Sequence, residues 1–216
     1  VLDPALPGRA EGLVRALSMV QGLGTPTAPA RALLGIAGAP GSGKSTLASA
    51  LVEVLTERGV PVALVGMDGF HLAHSVLFAR GLAEVKGAPE TFDAAGYVAL
   101  LRRLRSAGET VWAPEFRREI EDAVAGAVPV DPSVRLVITE GNYLLLDGPW
   151  APVRGLLDEV WFVDEPDQVR RERLAARHRR YGRSEAEAWA RTLGSDERNA
   201  ELVTATRDRA QLLVRL

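Results

Sequence analysis

Apolar positions change period several times along this chain of 216 residues, and each change marks a predicted element. Leu13, Ala16, Leu17 and Val20 recur at helical spacing, predicting a short amphipathic helix near the start. "GLGTPTAPA" (22–30) breaks any helix and reads as a linker. "ALLGIAG" (32–38) is a continuous apolar run that fits a buried strand. Leu47, Ala50, Leu51, Val54 and Leu55 then return to the helical period, predicting a helix that ends near Gly59. "PVALVGM" (61–67) reads as a second strand, so the pattern opens on a β-loop-α-β unit.

Beyond it the pattern is less regular. "FDAAGYVALLRRLRSAG" predicts a helix, with Asp93 as its candidate cap and Gly108 as its stop. "ETVWAP" and "AGAVPV" read as two short strands around a charged turn. "VRLVITEG" (134–141) and "DEVWFVDE" (158–165) are buried strands, separated by enough chain for the crossover that parallel pairing requires. "PDQVRRERLAARHRRYGRS" predicts a basic helix, "SDERNAELVTATRDRA" another helix, and "AQLLVRL" a closing strand. Strands alternating with helices predict the α/β class, as a doubly wound, mostly parallel sheet.

Composition narrows the possibilities. The chain is 47% hydrophobic and 25% charged with a formal net charge of −2, which suits one α/β domain carrying a small insertion. That balance gives no reason to expect nucleic acid or an anionic membrane as partner. No apolar run approaches the roughly 20 residues that span a bilayer, and the opening residues lack the basic and apolar regions of a signal peptide. There are no cysteines, which excludes disulfides, thiolate zinc sites and cysteine nucleophiles. A cytoplasmic location fits these features.

"GAPGSGKST" (Gly38, Ala39, Pro40, Gly41, Ser42, Gly43, Lys44, Ser45, Thr46) stands between the first strand and its helix. It matches G-x-x-x-x-G-K-[ST] in the required context. Its glycines let successive backbone N–H groups line a concave nest for anions at a helix N-terminus. Lys44 can reach the β- and γ-phosphates of a nucleoside triphosphate, and the Ser45 hydroxyl can ligate Mg²⁺. ATP is the expected nucleotide. Neither a guanine-reading N-K-x-D nor a transporter L-S-G-G-Q motif occurs.

"MDGFHL" ends the second strand, where open α/β sheets form their ligand crevice. Asp68 there can accept a hydrogen bond from an attacking hydroxyl and aim it in line; as an alternative it simply forms an Asp-Gly turn. Glu140, at the end of "LVITEG", either holds Mg²⁺ through water, fixes the acceptor, or is a plain strand terminus. On the basic helix Arg173 and Arg177 share a face at i, i+4 and can close over the triphosphate; the remaining arginines there read as solvated. His71 reads as a hydrogen-bonding residue near the acceptor pocket rather than a zinc ligand with His74. Trp112, Trp150, Trp161 and Trp189 read as core or pocket-wall residues, and Trp112 or Phe116 offers a stacking surface for a flat substrate.

"GAPGSGKST", "MDGFHL", "ITEGNYLLL" and "RRERLAARH" occur in an order and spacing that resembles the uridine kinase–phosphoribulokinase–bacterial pantothenate kinase group. The likeness is greatest to its bacterial nucleoside/nucleotide kinase-like, or fructose kinase-like, branch. It continues through "KGAPETFD", "PEFRREIEDAVAG" and "SDERNAELV", from Leu33 to the end of the chain. The resemblance implies a P-loop NTPase fold over 32–216, with residues 1–31 as a preceding helix and linker. It places an acceptor-side insertion at about 69–130 and a basic helical lid at about 167–183. ATP and Mg²⁺ are then co-substrates, and Asp68 is the acceptor-side carboxylate. Lys86, Glu90, Phe92 and Asp93 approach the acceptor pocket, and Asn199 and Thr206 lie near the adenine. In this branch the central stretch reads P-x-F-D-R-x-x-E-D-P-V-A; here Arg117 replaces the aspartate and Ala123 the second proline, while Arg118, Glu121 and Asp122 match. A cation at 117 would favour an anionic acceptor or change specificity.

These readings predict transfer of the γ-phosphoryl group of ATP to a hydroxyl of a small metabolite, with sugar, nucleoside and pantothenate-like acceptors all open. The rival reading is an ATP-binding sensor with slow hydrolysis and no acceptor. The N-terminal helix either packs on its own domain or supports a homodimer.

Overall fold

The computed structural model describes residues 9–22, 31–106 and 108–216; the stretch 23–30, within the predicted linker, lies outside them. Its elements are α1 (Arg9–Gly22), β1 (Ala32–Gly38), α2 (Lys44–Glu57), β2 (Val62–Gly66), α3 (His74–Ala79), α4 (Ala94–Ser106), β3 (Val111–Arg117), β4 (Asp122–Val130), β5 (Leu136–Gly141), α5 (Ala151–Leu156), β6 (Glu159–Val163), α6 (Asp167–Arg180), α7 (Glu185–Arg191), α8 (Glu197–Thr204) and β7 (Leu212–Val214).

Five strands form one sheet in the order β2-β5-β1-β6-β7, every pair parallel. Its interior explains the apolar runs. All seven residues of β1 are buried, as expected of a strand covered on both faces. Alternate residues enter different cores. Leu33, Val137, Val160 and Phe162 pack with α4, α5 and the Tyr143–Trp150 segment. Leu34, Ile36, Ile138 and Trp161 pack with α1 and α2. β3 and β4 form a separate antiparallel hairpin whose register shifts between Ala113 and Glu115.

The predicted strands all form: β1 has the predicted bounds, β2, β5, β6 and β7 are trimmed by a residue or two at their ends, and the hairpin strands β3 and β4 run about three residues further into their connecting turn than predicted. Asp93 caps α4, its Oδ1 accepting from the Gly96 N–H at 2.8 Å, which satisfies one of the orphan donors of the first turn. The N-terminal helix packs on its own domain: Ala16 is fully buried, Leu13, Leu17 and Val20 lie on the α2-side core, and Arg15 pairs with Glu159 at 2.6 Å. Trp150 and Trp161 are core residues, but Trp112 is 58% exposed on β3, correcting its expected place. Three short helices, α3, α5 and α7, carry too few turns for apolar periodicity to announce them.

Candidate active site

The glycine loop joins β1 to α2 at the carboxyl edge of the sheet. Gly43 is the N-cap of α2 at φ 92°, and no side chain caps the helix, so its first N–H groups are left for an external anion. Gly41 has φ 81°, and a Cβ there would lie 2.5 Å from the Arg170 carbonyl oxygen of α6. A side chain at that position is excluded both by backbone conformation and by the basic helix pressed against the loop.

Parallel register brings the two candidate carboxylates to the same edge. Glu140 pairs with Ile36 of β1 and Gly66 of β2, and Asp68 follows Gly66 in the 3-10 turn Met67–Phe70. Ser45 Oγ donates to Glu140 Oε1 at 3.1 Å. Burial pushes the Glu140 carboxyl above its usual range, with Lys44 opposing and Asp68 adding to the shift. Burial likewise lowers the Lys44 ammonium, against the attraction of Glu140 and Asp68. A hydroxyl and a carboxylate beside a phosphate-binding loop are hard oxygen donors, which fits Mg²⁺ completed by phosphate and water. Ser45 and Glu140 are the residues that would hold it.

Lys44 and Asp68 open onto one cavity of about 650 Å³. Its far wall holds His71, Lys86, Phe92, Phe116 and Arg118, five of the acceptor-side candidates. His71 Nδ1 donates to the Asp68 carbonyl oxygen at 2.8 Å. Burial depresses the imidazole pKa below its ordinary value, against the attraction of Asp68. Arg118 lies 3.6 Å from the Asp68 carboxylate. Phe116 is contacted by Lys86 at 5.0 Å, Arg118 at 5.7 Å and the His71 ring at 4.9 Å.

Other expected residues fall elsewhere. Arg117 sits on the outer face of β3, 53% exposed and 3.5 Å from Glu115, and does not line the cavity. Glu90 and Asp93 are exposed and also absent from its walls. Asn199, expected near the adenine, lines the acceptor-side cavity and donates to the Gly87 carbonyl at 3.2 Å. Thr206 is buried, its hydroxyl engaged by the Val203 carbonyl at 2.7 Å.

The basic helix divides its arginines. Arg177 faces the cavity, where burial and Arg118 both lower its pKa. Arg173 reaches the loop instead, Nη1 donating to the Ser42 carbonyl at 3.3 Å and lying 3.4 Å from Glu165. Arg170, expected in solvent, is 3% exposed and bonds Asp167 and both oxygens of Glu197. Asn142, His178, Arg191 and Asp196, which sequence reasoning passed over, also line the cavity, as does Arg183, read from the sequence as solvated. Four of these belong to the arm of chain running through α6, α7 and α8, whose fold against the acceptor side no local motif announces.

Comparison with known proteins agrees with this architecture. Residues 9–73 match the family model of the methylmalonyl Co-A mutase-associated GTPase MeaB, a match confined to the chain from α1 through the glycine loop, α2 and the first two strands to the Met67–Phe70 turn. The "putative uridine kinase C227.14" of Schizosaccharomyces pombe is 37% identical over 183 residues, 80% of this chain and 78% of that one. The uncharacterized protein YggC of Escherichia coli is 35% identical over 93% of this chain and 84% of its own length. Among solved structures, a "putative fructose transport system kinase" from Silicibacter sp. TM1040 superimposes with a TM-score of 0.84 at 39% identity, covering 94% of this chain and 98% of that one.

Proposed function

We propose the activity from one premise: this chain belongs to the uridine kinase–phosphoribulokinase–bacterial pantothenate kinase superfamily of P-loop kinases. On that basis it is an ATP-dependent phosphotransferase that moves the γ-phosphoryl group to a hydroxyl of a small metabolite. The observation that carries the reading is that the uncapped loop with Lys44 and the carboxylate of Asp68 open onto a single cavity of about 650 Å³, large enough for a phosphate chain and a small acceptor together.

The roles follow from position. Loop amides and Lys44 bind the triphosphate, and Arg177 adds positive charge from the basic helix. Mg²⁺, held at Ser45 and Glu140, would neutralise charge on the β- and γ-phosphates. Asp68 accepts the hydrogen bond of the attacking hydroxyl and orients it, while Arg118 and His71 hold the segment that carries Asp68. Because the transition state is loose, orientation contributes more than proton removal.

For the acceptor we favour a sugar or polyol over a nucleoside. Phe116, the cavity's candidate platform for a flat base, is already occupied by Lys86, Arg118 and His71. Arg117, which would have suggested an anionic acceptor or a disabled pocket, lies outside the cavity. The named function of the Silicibacter relative points the same way. The test is ADP release from Mg·ATP with D-fructose, uridine, pantothenate and D-glycerate. Turnover that depends on D-fructose or another polyol supports the reading; turnover with uridine alone overturns the acceptor class. ADP release that no acceptor changes overturns the kinase.

A further inference from the structure

Of the 26 basic residues in this chain only Lys44 and Lys86 are lysines, and both line the active cavity. Elsewhere arginine serves every need for positive charge, so these two positions call for a compact ammonium rather than a planar fork. Lys44 has the phosphates to explain it. Lys86 is explained by how the chain holds it.

From Glu185 to Thr204 the chain runs as one continuous helix, α7 and α8 joined by a π-turn at Thr192–Asp196. Such turns are frequent at functional sites. Arg191 and Asn199 flank this one eight residues apart, a spacing that in an unbroken α-helix sets two side chains about 80° from one another. The wide turn takes up one residue and brings the pair near the seven-residue relation that shares a face. Both meet the same short segment. Arg191 Nη2 donates to the Lys86 carbonyl at 2.7 Å, and Asn199 Nδ2 to the Gly87 carbonyl at 3.2 Å. The Tyr143 hydroxyl also donates to the Gly87 carbonyl, and Thr91 Oγ1 accepts from the Gly87 N–H at 3.0 Å. Gly87 has φ 103°, a conformation that a side chain would strain.

Fixed in this way, the Lys86 side chain reaches the turn of the β3–β4 hairpin. Its Nζ donates to the Glu121 carbonyl, lies 3.5 Å from the Glu121 carboxylate and stands 5.0 Å over the Phe116 ring. An ammonium has three donors, and a hydroxyl oxygen in the cavity can take one of them. The π-turn also reaches the basic helix, Asp196 Oδ2 lying 2.6 Å from His178 Nε2.

We propose that Arg191 and Asn199 are positioning residues for acceptor recognition: across the π-turn they hold the Lys86–Gly87 backbone so that the Lys86 ammonium is presented to an oxygen of a hydroxylated acceptor. The proposal rests on the kinase reading above for its substrate. The hydrogen-bonded anchor itself does not depend on that reading.

The experiment compares wild-type enzyme with Arg191→Ala and Arg191→Lys in two measurements. Hydrogen exchange of the amides of Lys86, Gly87, Ala88, Glu90 and Thr91, in protein without nucleotide or acceptor, reads the anchor directly; it accelerates about tenfold in Arg191→Ala and less in Arg191→Lys. Steady-state kinetics then use D-fructose, or whichever of uridine, pantothenate and D-glycerate is turned over. Arg191→Ala raises the acceptor KM about tenfold, the loss of one charge-assisted hydrogen bond, with ATP KM and kcat within about twofold and part of the loss recovered in Arg191→Lys. Unchanged exchange overturns the anchor. Accelerated exchange with an unchanged acceptor KM, or with equal rises in both KM values, overturns its role in recognition. If wild-type enzyme turns over none of the four compounds while exchange responds as expected, recognition of these acceptors through Lys86 is overturned and the anchor stands; loss of all acceptor-dependent ADP release counts against the kinase reading separately.

Discussion

One uninterrupted segment, Gly38 to Thr46, forms the phosphate-binding loop and brings Pro40 and Lys44 to the cavity, whereas the acceptor side gathers Asp68, His71, Lys86, Phe116, Arg118 and Arg191 from elements between the end of β2 and α7. The first is largely backbone: an uncapped helix N-terminus and a loop that Gly41 allows to lie against α6. The second is side chains held by one another, with Arg118 beside Asp68, Lys86 over Phe116 and Arg191 on the Lys86 carbonyl. A backbone site suits a ligand common to many enzymes, because main-chain donors do not change with sequence. A site of side chains can be retuned one substitution at a time.

Asp68→Asn is the strongest way to separate the two halves. It keeps the shape and removes the charge that aims the hydroxyl, so acceptor-dependent turnover falls about a thousandfold while ATP affinity measured by calorimetry changes little. A parallel loss of ATP affinity would show that the halves do not separate at this residue. Gly41→Ala strikes the other half. Its φ of 81° and the 2.5 Å approach to the Arg170 carbonyl together cost about 3 kcal/mol, read as a lowered urea midpoint, and ATP affinity falls with it.

Glu197→Gln tests what holds the basic helix over both. Glu197 accepts from Arg170 and Arg171, and these bonds, Arg171 first, hold its carboxyl down at about 2 against an ordinary 4.5. A depressed folded-state pKa gives stability that is present above the ordinary value and lost as pH falls through the folded one. The variant is therefore less stable by about 2 kcal/mol at neutral pH. The gap shrinks below pH 4.5 and closes as pH falls past about 2; a gap that ignores pH would show that charge is not its source.

What the sequence made legible follows the same division. The parallel sheet could be read because strands buried on both faces are continuous apolar runs with turns between them, as in Ala32–Gly38. The glycine loop was legible because its residues are neighbours in the chain. Glu140 and Asp68 were found through a rule of topology, that ligands collect at the carboxyl ends of parallel strands, and the register with Ile36 and Gly66 is how this chain obeys it. Arg191 carries no such mark, and Asp196 lies within "SDERNAELV" without a spacing that assigns it a role. Their place depends on a π-turn and on how α7 and α8 fold back on the Lys86–Gly87 segment, and neither has a period or a spacing to read. Arg170 shows the same limit: its buried pairing with Glu197 joins residues distant in sequence, while its neighbours along α6 look alike.

Arg117 offers the finest test, because there motif and structure point in different directions. By its place in the motif this residue belongs with the acceptor, as a cation where the branch carries an aspartate. In the structure it follows strand alternation: Phe116 faces the cavity, and Arg117 projects to the outer face, 53% exposed, beside the equally exposed Glu115. An exposed pair of this kind contributes at most about 0.5 kcal/mol. Arg117→Asp, which replaces the cation by the aspartate of the branch, is therefore expected to change acceptor KM and kcat by less than about twofold and to leave acceptor preference as it was. A switch in preference, read from the ratio of kcat/KM values across the same four acceptors, would mean that the hairpin turns its other face to the substrate and that the acceptor wall extends beyond the cavity drawn by Lys86, Phe116 and Arg118.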